Sequence, residues 1–195
     1  MDIIEKIRKA IAVHPARILE PGDGLNSAVA VILQQTQAGL HILFIERSTN
    51  ENDPWSGQIA FPGGKSERGD GSLRHTAERE TWEELGEDLT AARFLGRLDD
   101  VAPAGLAVTV SCFVYAVARD QELHLNISEV ASAFWTPVSE ICQPSRFVKI
   151  KVSLHDRLRS FPAIRLSGDE KPPLWGITYT MFRNLHKVTR GSLTP

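Results

Sequence analysis

The sequence predicts one α/β or α+β domain, and three observations carry that prediction. Continuous β-branched apolar runs such as Ala28–Leu33 and Val108–Val117 have the character of buried strands. Segments with helical signals lie between and around them. The length of 195 residues, with 42% hydrophobic and 24% charged residues, is one domain's worth of globular chain and excludes a disordered or collagen-like polymer.

Ile3, Ile4, Ile7 and Ile11 recur at helical spacing behind Asp2, a residue suited to cap an opening amphipathic helix. Two prolines and two glycines make the stretch from Pro15 to Asn26 a connector. Ala28–Leu33 and Leu40–Ile45 flank the polar Gln34–Gly39 loop and predict a strand pair. Ser48–Ser56 reads as a polar loop. Gln58–Phe61 is a short strand stopped by Pro62-Gly63-Gly64. A helix is expected from about Ser72 to Leu85, ended by Gly86 as a left-handed cap. Phe94–Leu98 and Val108–Val117 are strands, the second apolar enough to be central. Glu129–Ala133 is expected as a helical turn before Phe134-Trp135, and Pro137–Ile141 as a turn that opens a helix. Residues 143–173 are punctuated by proline, with strand character only at Ala163–Leu166. Trp175–Val188 closes the chain as a helix.

No apolar run approaches the roughly 18 residues that span a bilayer, so no membrane partner is expected. Asp2, Glu5, Lys6, Arg8 and Lys9 interrupt the first apolar residues, which argues against a secretory leader or mitochondrial presequence. Cys112 and Cys142 are too few for a disulfide framework or a structural zinc site. A cytoplasmic location is expected. The net charge of −2 conceals an uneven distribution: residues 1–142 carry 12 basic against 21 acidic side chains, and residues 143–195 carry 10 against 3. An acidic body with a basic last quarter can offer metal-binding carboxylates in one place and anion-binding cations in another. No block of like charge is dense enough for a duplex nucleic-acid surface.

The chemistry concentrates between Gly63-Gly64-Lys65 and Arg79-Glu80-Thr81-Trp82-Glu83-Glu84-Leu85-Gly86. On a helix Glu83 lies about 60° to one side of Glu80 and Glu84 about 40° to the other, so three carboxylates share an arc of about 100°. Like charges so placed repel by a few tenths of a kcal/mol per pair on a bare helix. A hard divalent cation above that face turns the repulsion into attraction. An ordinary solvated acidic helix has the same spacing, but not the glycine pair, which allows close backbone approach and can present a carbonyl to the same cation. Arg79 can pair with Glu83 one turn on.

This stretch resembles the Nudix box: Gly, five residues, Glu, seven residues, then Arg-Glu-x-x-Glu-Glu-x-Gly. Arg79–Gly86 matches at every defined position. The front half departs, with one extra residue between Gly64 and Arg79 and with Asp70 standing where the first Glu is expected. Glu87 replaces the usual apolar residue after the glycine. Arg47-Ser48 and Asp53-Pro54-Trp55-Ser56-Gly57-Gln58-Ile59-Ala60-Phe61-Pro62-Gly63-Gly64-Lys65 are similar to the lead-in of the coenzyme A pyrophosphatase branch. Glu129-Val130 with Phe134-Trp135-Thr136-Pro137, and further on Phe161-Pro162 and Trp175-Gly176-Ile177-Thr178, extend the likeness over roughly residues 26–188.

The resemblance implies an α/β/α sandwich with a mixed sheet, preceded by the helix and connector of residues 1–25, all in one domain. It implies Mg²⁺ (or Mn²⁺) held by Glu80, Glu84, Glu83 and the Gly64 carbonyl, with Arg79 orienting a glutamate. Glu83 or the distant Glu129 would act on the attacking water, and Arg47, Gly57, Phe61 and Lys65 would contact substrate. The implied reaction is hydrolysis of a pyrophosphate bond in a nucleotide-type small molecule, with coenzyme A or its esters favoured. Arg146, Lys149 and Lys151 are candidate partners for that substrate's 3′-phosphate. ADP-ribose, nucleotide sugars and oxidised nucleoside triphosphates are alternatives, as is a ligand-binding module without turnover. A monomer or homodimer is expected. Trp135 and Trp175 read as core or lid aromatics, and none of the six histidines has ligand spacing.

Overall fold

The computed structural model describes residues 2–20, 24–50, 55–103, 105–118, 122–154, 157–168 and 171–189. Strand β1 (Leu25–Thr36) organises the main sheet. It pairs antiparallel with β2 (Gly39–Arg47) and parallel with β6 (Val108–Val117), in register from Leu25↔Val108 to Gln34↔Val117. The start of β1 also pairs with β4 (Gly63–Lys65), while β2 pairs with β3 (Ile59–Ala60) and along its other edge with β7 (Val130–Pro137). β5 (Arg93–Arg97) lies antiparallel to β6. The sheet is therefore mixed, as expected. A second, smaller sheet has the order β10–β9–β8, from Phe147–Leu154 (β8), Arg157–Ile164 (β9) and Leu174–Trp175 (β10).

Alternation along the strands sorts side chains to two faces. Val31, Leu33, Ile42, Phe44, Cys112 and Val114 point to a core shared with α1 (Ile3–Ala12), α3 (Val138–Ile141) and α4 (Gly176–Val188). Ala28, Ala30, Ile32, Leu43, Ile45 and Tyr115 point to the other, under α2 (Leu73–Leu85). The small Ala28 and Ala30, facing Ala77 of the helix, let α2 lie close to β1. The result is the predicted α/β/α arrangement. Among the described residues no helix is long and apolar enough to cross a membrane.

The α2 boundaries follow from local chemistry. Ser72 Oγ accepts from His75 N at 3.2 Å, and Gly86 (φ 66°) adopts the left-handed conformation while donating to the Trp82 carbonyl. The connector after α1 is fixed by β5's neighbours: Asp99 contacts His14 Nε2 at 2.7 Å and accepts from Arg17 N at 2.9 Å and Asn184 Nδ2 at 2.7 Å.

Two expectations need correction. The helical turn predicted at Glu129–Ala133 exists only as a turn at its beginning, where Glu129 N and Val130 N both bond the Asn126 carbonyl at 2.9 Å. From Val130 onward the chain is β7, because pairing along β2 outweighs the helix-compatible Ala-Ser-Ala. Residues 143–173 hold the β8–β9 hairpin rather than one short strand; β8 starts at Phe147 and β9 ends at Ile164.

Candidate active site

The glycine pair and two glutamates define the site. Gly63 has φ 143°, and a Cβ there would strike the Ala28 carbonyl and lie 2.6 Å from Val29 Cα, so sheet packing alone requires glycine. At Gly64 the obstacle is different. A Cβ would lie within 2.6 Å of every atom of the Glu80 carboxyl group, which rests directly against the glycine backbone. Glu84, one turn on, is 1% exposed, and its Oε2 accepts from Gly63 N at 2.8 Å. β4 and α2 thus press two carboxylates against the same two residues.

Burial pushes the Glu84 carboxyl up to about 8. The Gly63 hydrogen bond and the positive charge of Arg47 act in the opposite direction, and the negative charges of Glu80 and Glu129 add to the rise. Glu80 is also raised, chiefly by burial, against the pull of Arg79 and with the charges of Glu83 and Glu129 pushing it further. Glu129 is exposed on the loop before β7. That loop is anchored from both sides: Asn126 N and His124 N bond the carbonyls of Glu84 and Leu85 at 3.0 and 2.8 Å, and Ser48 N bonds the Glu129 carbonyl at 2.9 Å. Asn126 Nδ2 donates to Glu129 Oε1 at 3.2 Å.

Arg79 ties the cluster together. Its Nε and Nη2 donate to the two Asp70 oxygens at 2.9 and 3.1 Å, Nη1 donates to Glu83 Oε2 at 2.8 Å, and Nη2 also bonds the Lys65 carbonyl at 2.9 Å. An ion pair of 3.1 Å joins Nη2 to Glu80 Oε1. Asp70 in turn accepts from Glu67 N at 2.9 Å and Thr76 Oγ1 at 2.8 Å. The Arg79 guanidinium beside it holds the Asp70 carboxyl well below the usual range, despite opposing desolvation. The sequence left Asp70 one position out of register. The bidentate fork nevertheless brings Asp70 onto Arg79.

The remaining sequence-predicted residues separate. Arg47 closes β2 and acts electrostatically on Glu84; its N–H bonds the Gln58 carbonyl at 3.0 Å. Gly57 (φ 68°) forms the turn beside it and donates to the Arg47 carbonyl at 3.2 Å. Lys65 is exposed at the end of β4. Phe61 is 2% exposed and stacks on Phe44 at 5.1 Å, so it presents no face to a ligand and instead anchors the strand that carries Gly63. Arg146 lies in a 3₁₀ turn (Pro144–Arg146), and Lys149 and Lys151 lie on β8, in the smaller sheet. Asp53 and Pro54 of the lead-in fall outside the described residues. Trp135 packs against the α2-side core, and Trp175 against Phe161 at 5.4 Å.

The donors fit a hard cation. They are oxygen atoms throughout, and among the described residues no three His, Cys, Asp or Glu side chains converge as a ready-made cage. Mg²⁺ commonly binds through one or two carboxylates and retains waters or takes phosphate oxygens, which matches a Glu80–Glu84 pair against a glycine backbone. A buried carboxyl held at about 8 has a strong electrostatic reason to accept such a cation.

A family model for the NUDIX domain matches residues 24–158. The chain belongs to the Nudix hydrolase family. A Nudix hydrolase named NudL from Yersinia enterocolitica, itself uncharacterised, is 33% identical over 144 residues, covering 73% of this chain and 71% of that protein. An uncharacterised protein of Schizosaccharomyces pombe is 33% identical over 181 residues, and the match takes in 74% of this chain. This chain spans 55% of that relative's length. The structure of a Nudix hydrolase from M. smegmatis, RenU, superimposes with a TM-score of 0.58 at 16% identity, over 89% of this chain and 98% of that one. At that identity the likeness concerns the fold. In this Nudix fold the Arg79–Gly86 half of the box forms the last two turns of α2 and its cap.

Proposed function

We propose that this protein hydrolyses the pyrophosphate bond of a nucleoside-diphosphate-linked small molecule with Mg²⁺ or Mn²⁺, and that coenzyme A or its esters are the preferred substrates. The observation that carries the reading is the burial of Glu84 beside Glu80 on the Gly63–Gly64 backbone. Two carboxylates kept together at that electrostatic cost serve a cation better than they serve the fold. Glu80, Glu84 and the Gly64 carbonyl would hold the ion. When bound, the metal neutralises the diphosphate and acidifies a coordinated water.

The chain's own residues supply the rest. Asp70 locks Arg79, and Arg79 fixes Glu80 and Glu83, so that Glu80 is oriented before substrate arrives. Glu129 would take a proton from the attacking water, a reading supported by the fastening of its loop to the end of α2 and by its charge acting on both Glu80 and Glu84. Glu83, engaged by Arg79, is a further ligand. Arg47 and Lys65 bring positive charge to the diphosphate, and Gly57 shapes the turn beside it.

The coenzyme A preference is supported by the likeness of the whole lead-in, Arg47-Ser48 with Asp53–Lys65, to that branch, and by the basic last quarter, suited to the adenosine 3′-phosphate. The chain would work as a single domain in the cytoplasm, as a monomer or homodimer. A panel of coenzyme A, dephospho-coenzyme A, ADP-ribose, nucleotide sugars and nucleoside triphosphates, assayed with Mg²⁺, tests the reading. Highest kcat/KM on coenzyme A supports it, preference for ADP-ribose replaces the substrate, and no turnover on any member removes the reading.

A further inference from the structure

A cavity of about 600 Å³ opens on the smaller sheet, outside the carboxylate cluster. Arg146, Lys149, Arg165 and Lys171 line it, with Val148 and Ile150 in its apolar wall. Four cations gathered in one concavity repel one another unless carboxylates or a bound anion compensate. Compensation within the protein is slight. Arg146 reaches Glu140 at 3.5 Å and donates to Ser167 Oγ at 2.6 Å, while Glu140 spends its Oε1 on Ser167 N at 3.1 Å. Among the described residues no carboxylate forms an ion pair with Lys149, Arg165 or Lys171, although the negative charge of Glu46 acts on Lys171 from beyond ion-pair distance. Asp169 and Glu170, next to Lys171 in sequence, lie outside the described residues. Lys171 Nζ sits over the Phe134 ring at 3.0 Å, so an aromatic face orients the ammonium.

The geometry points to a binding site for an organic phosphomonoester, and we infer that this cavity is one. The two guanidinium groups suit a tetrahedral dianion through paired N–H donors, and the two ammonium groups add charge. The apolar wall and the volume, well above that of a bare phosphate, favour an ester with a sugar or base attached. The site goes beyond the pyrophosphate-cleaving cluster: it uses none of the α2 carboxylates and requires no metal. The phosphate could belong to the hydrolysed substrate itself or to a separate ligand, and the two sources share this chemistry.

The test is calorimetric titration of the full chain in EDTA with adenosine 3′,5′-bisphosphate, with 5′-AMP and inorganic phosphate as smaller probes. Wild type should bind the bisphosphate, more tightly than inorganic phosphate, with affinity that falls as salt rises. Arg165→Gln should weaken it about tenfold, the loss of one charge-assisted contact. Adding Lys171→Gln should weaken it further, with circular dichroism checking the fold. Glu80→Gln should bind like wild type. No binding in EDTA, equal affinity in Arg165→Gln, or loss in Glu80→Gln would overturn the inference. Turnover then separates the sources. If Arg165→Gln raises KM for coenzyme A but not for dephospho-coenzyme A, the ester is the substrate's own. Unchanged KM values alongside the lost binding assign a separate organic phosphate. Because the titration needs no hydrolysis, it stands even if the substrate panel shows no turnover.

Discussion

Replacing Glu84 by Gln should flatten the pH dependence of the metal-free protein's stability. Glu84 is 1% exposed and its carboxyl is raised from 4.5 to about 8 in the fold. Folded protein therefore holds that proton more tightly than unfolded protein, and stability must fall as pH rises between those values. Below 4.5 both states are neutral there and the residue costs nothing; above about 8 the full cost is present. At 1.36 kcal/mol per pH unit at full slope, and less near either end of the window, the loss between about pH 5 and about pH 8 is about 3.5 kcal/mol. For a chain of this length that is on the order of 10 °C in Tm. A repulsion of a few tenths, estimated for a bare helix, is small beside it. Gln retains an oxygen to accept from Gly63 N but has no charge to bury, so its absolute stability also reflects a newly buried amide. The slope is the cleaner quantity. Urea melts in EDTA at several pH values should show a declining wild-type stability across this window and a shallower decline in Glu84→Gln. In wild type, Mg²⁺ should stabilise more strongly as pH rises; in the variant it should not. Parallel pH profiles for the two proteins would refute the assignment of that buried proton to Glu84.

Three further outcomes follow from the same contacts. Gly64→Ala should lower turnover by orders of magnitude with a small change in Tm, because the added methyl meets only the carboxyl end of the Glu80 side chain; Gly63→Ala, which meets backbone, should instead be strongly destabilised, and thermal melts beside activity assays distinguish them. Asp70→Asn should reduce kcat about 10- to 100-fold with a smaller effect on KM, since it loosens Arg79 without touching substrate, and an unchanged kcat would remove its positioning role. Asp99→Ala should cost about 1–3 kcal/mol in denaturant melts with kcat preserved, because it releases His14, Arg17 N and Asn184 far from the glutamates in sequence.

The fold was legible where local chemistry and tertiary packing agree. Ser72 and Gly86 mark α2 because a hydroxyl cap and a left-handed glycine act within one turn of chain. Val108–Val117 is recognisable because a central parallel strand is apolar on both faces. β7 was not, because Val130-Ala131-Ser132-Ala133 has little local preference and takes its conformation from β2. β8 did carry a signal: Val148, Ile150 and Val152 alternate with Lys149, Lys151 and Ser153. The prolines around it masked that alternation, and Pro162 sits inside β9 itself. In the site, the helical glutamates are visible from spacing, but their inequality is not. The Arg79–Glu83 pair follows from spacing along one helix, but the burial of Glu84 depends on how α2 lies over β4. Asp70 stands at the motif's first acidic position, but the extra residue before Arg79 leaves its role open, and only the folded chain shows the fork to Arg79. Arg165 and Lys171 were hidden because their partners in the cavity come from separate strands and loops.

The most direct test of the central claim is a Mn²⁺ titration followed by electron paramagnetic resonance, in wild type and in Glu80→Gln, with Mg²⁺ as competitor. Free Mn²⁺ signal should disappear into wild type, return on adding Mg²⁺, and persist in Glu80→Gln, with diphosphate hydrolysis tracking the bound metal. Equal Mn²⁺ uptake by both proteins, or hydrolysis undiminished in excess EDTA, would contradict a cation held by Glu80 and Glu84 as the basis of catalysis.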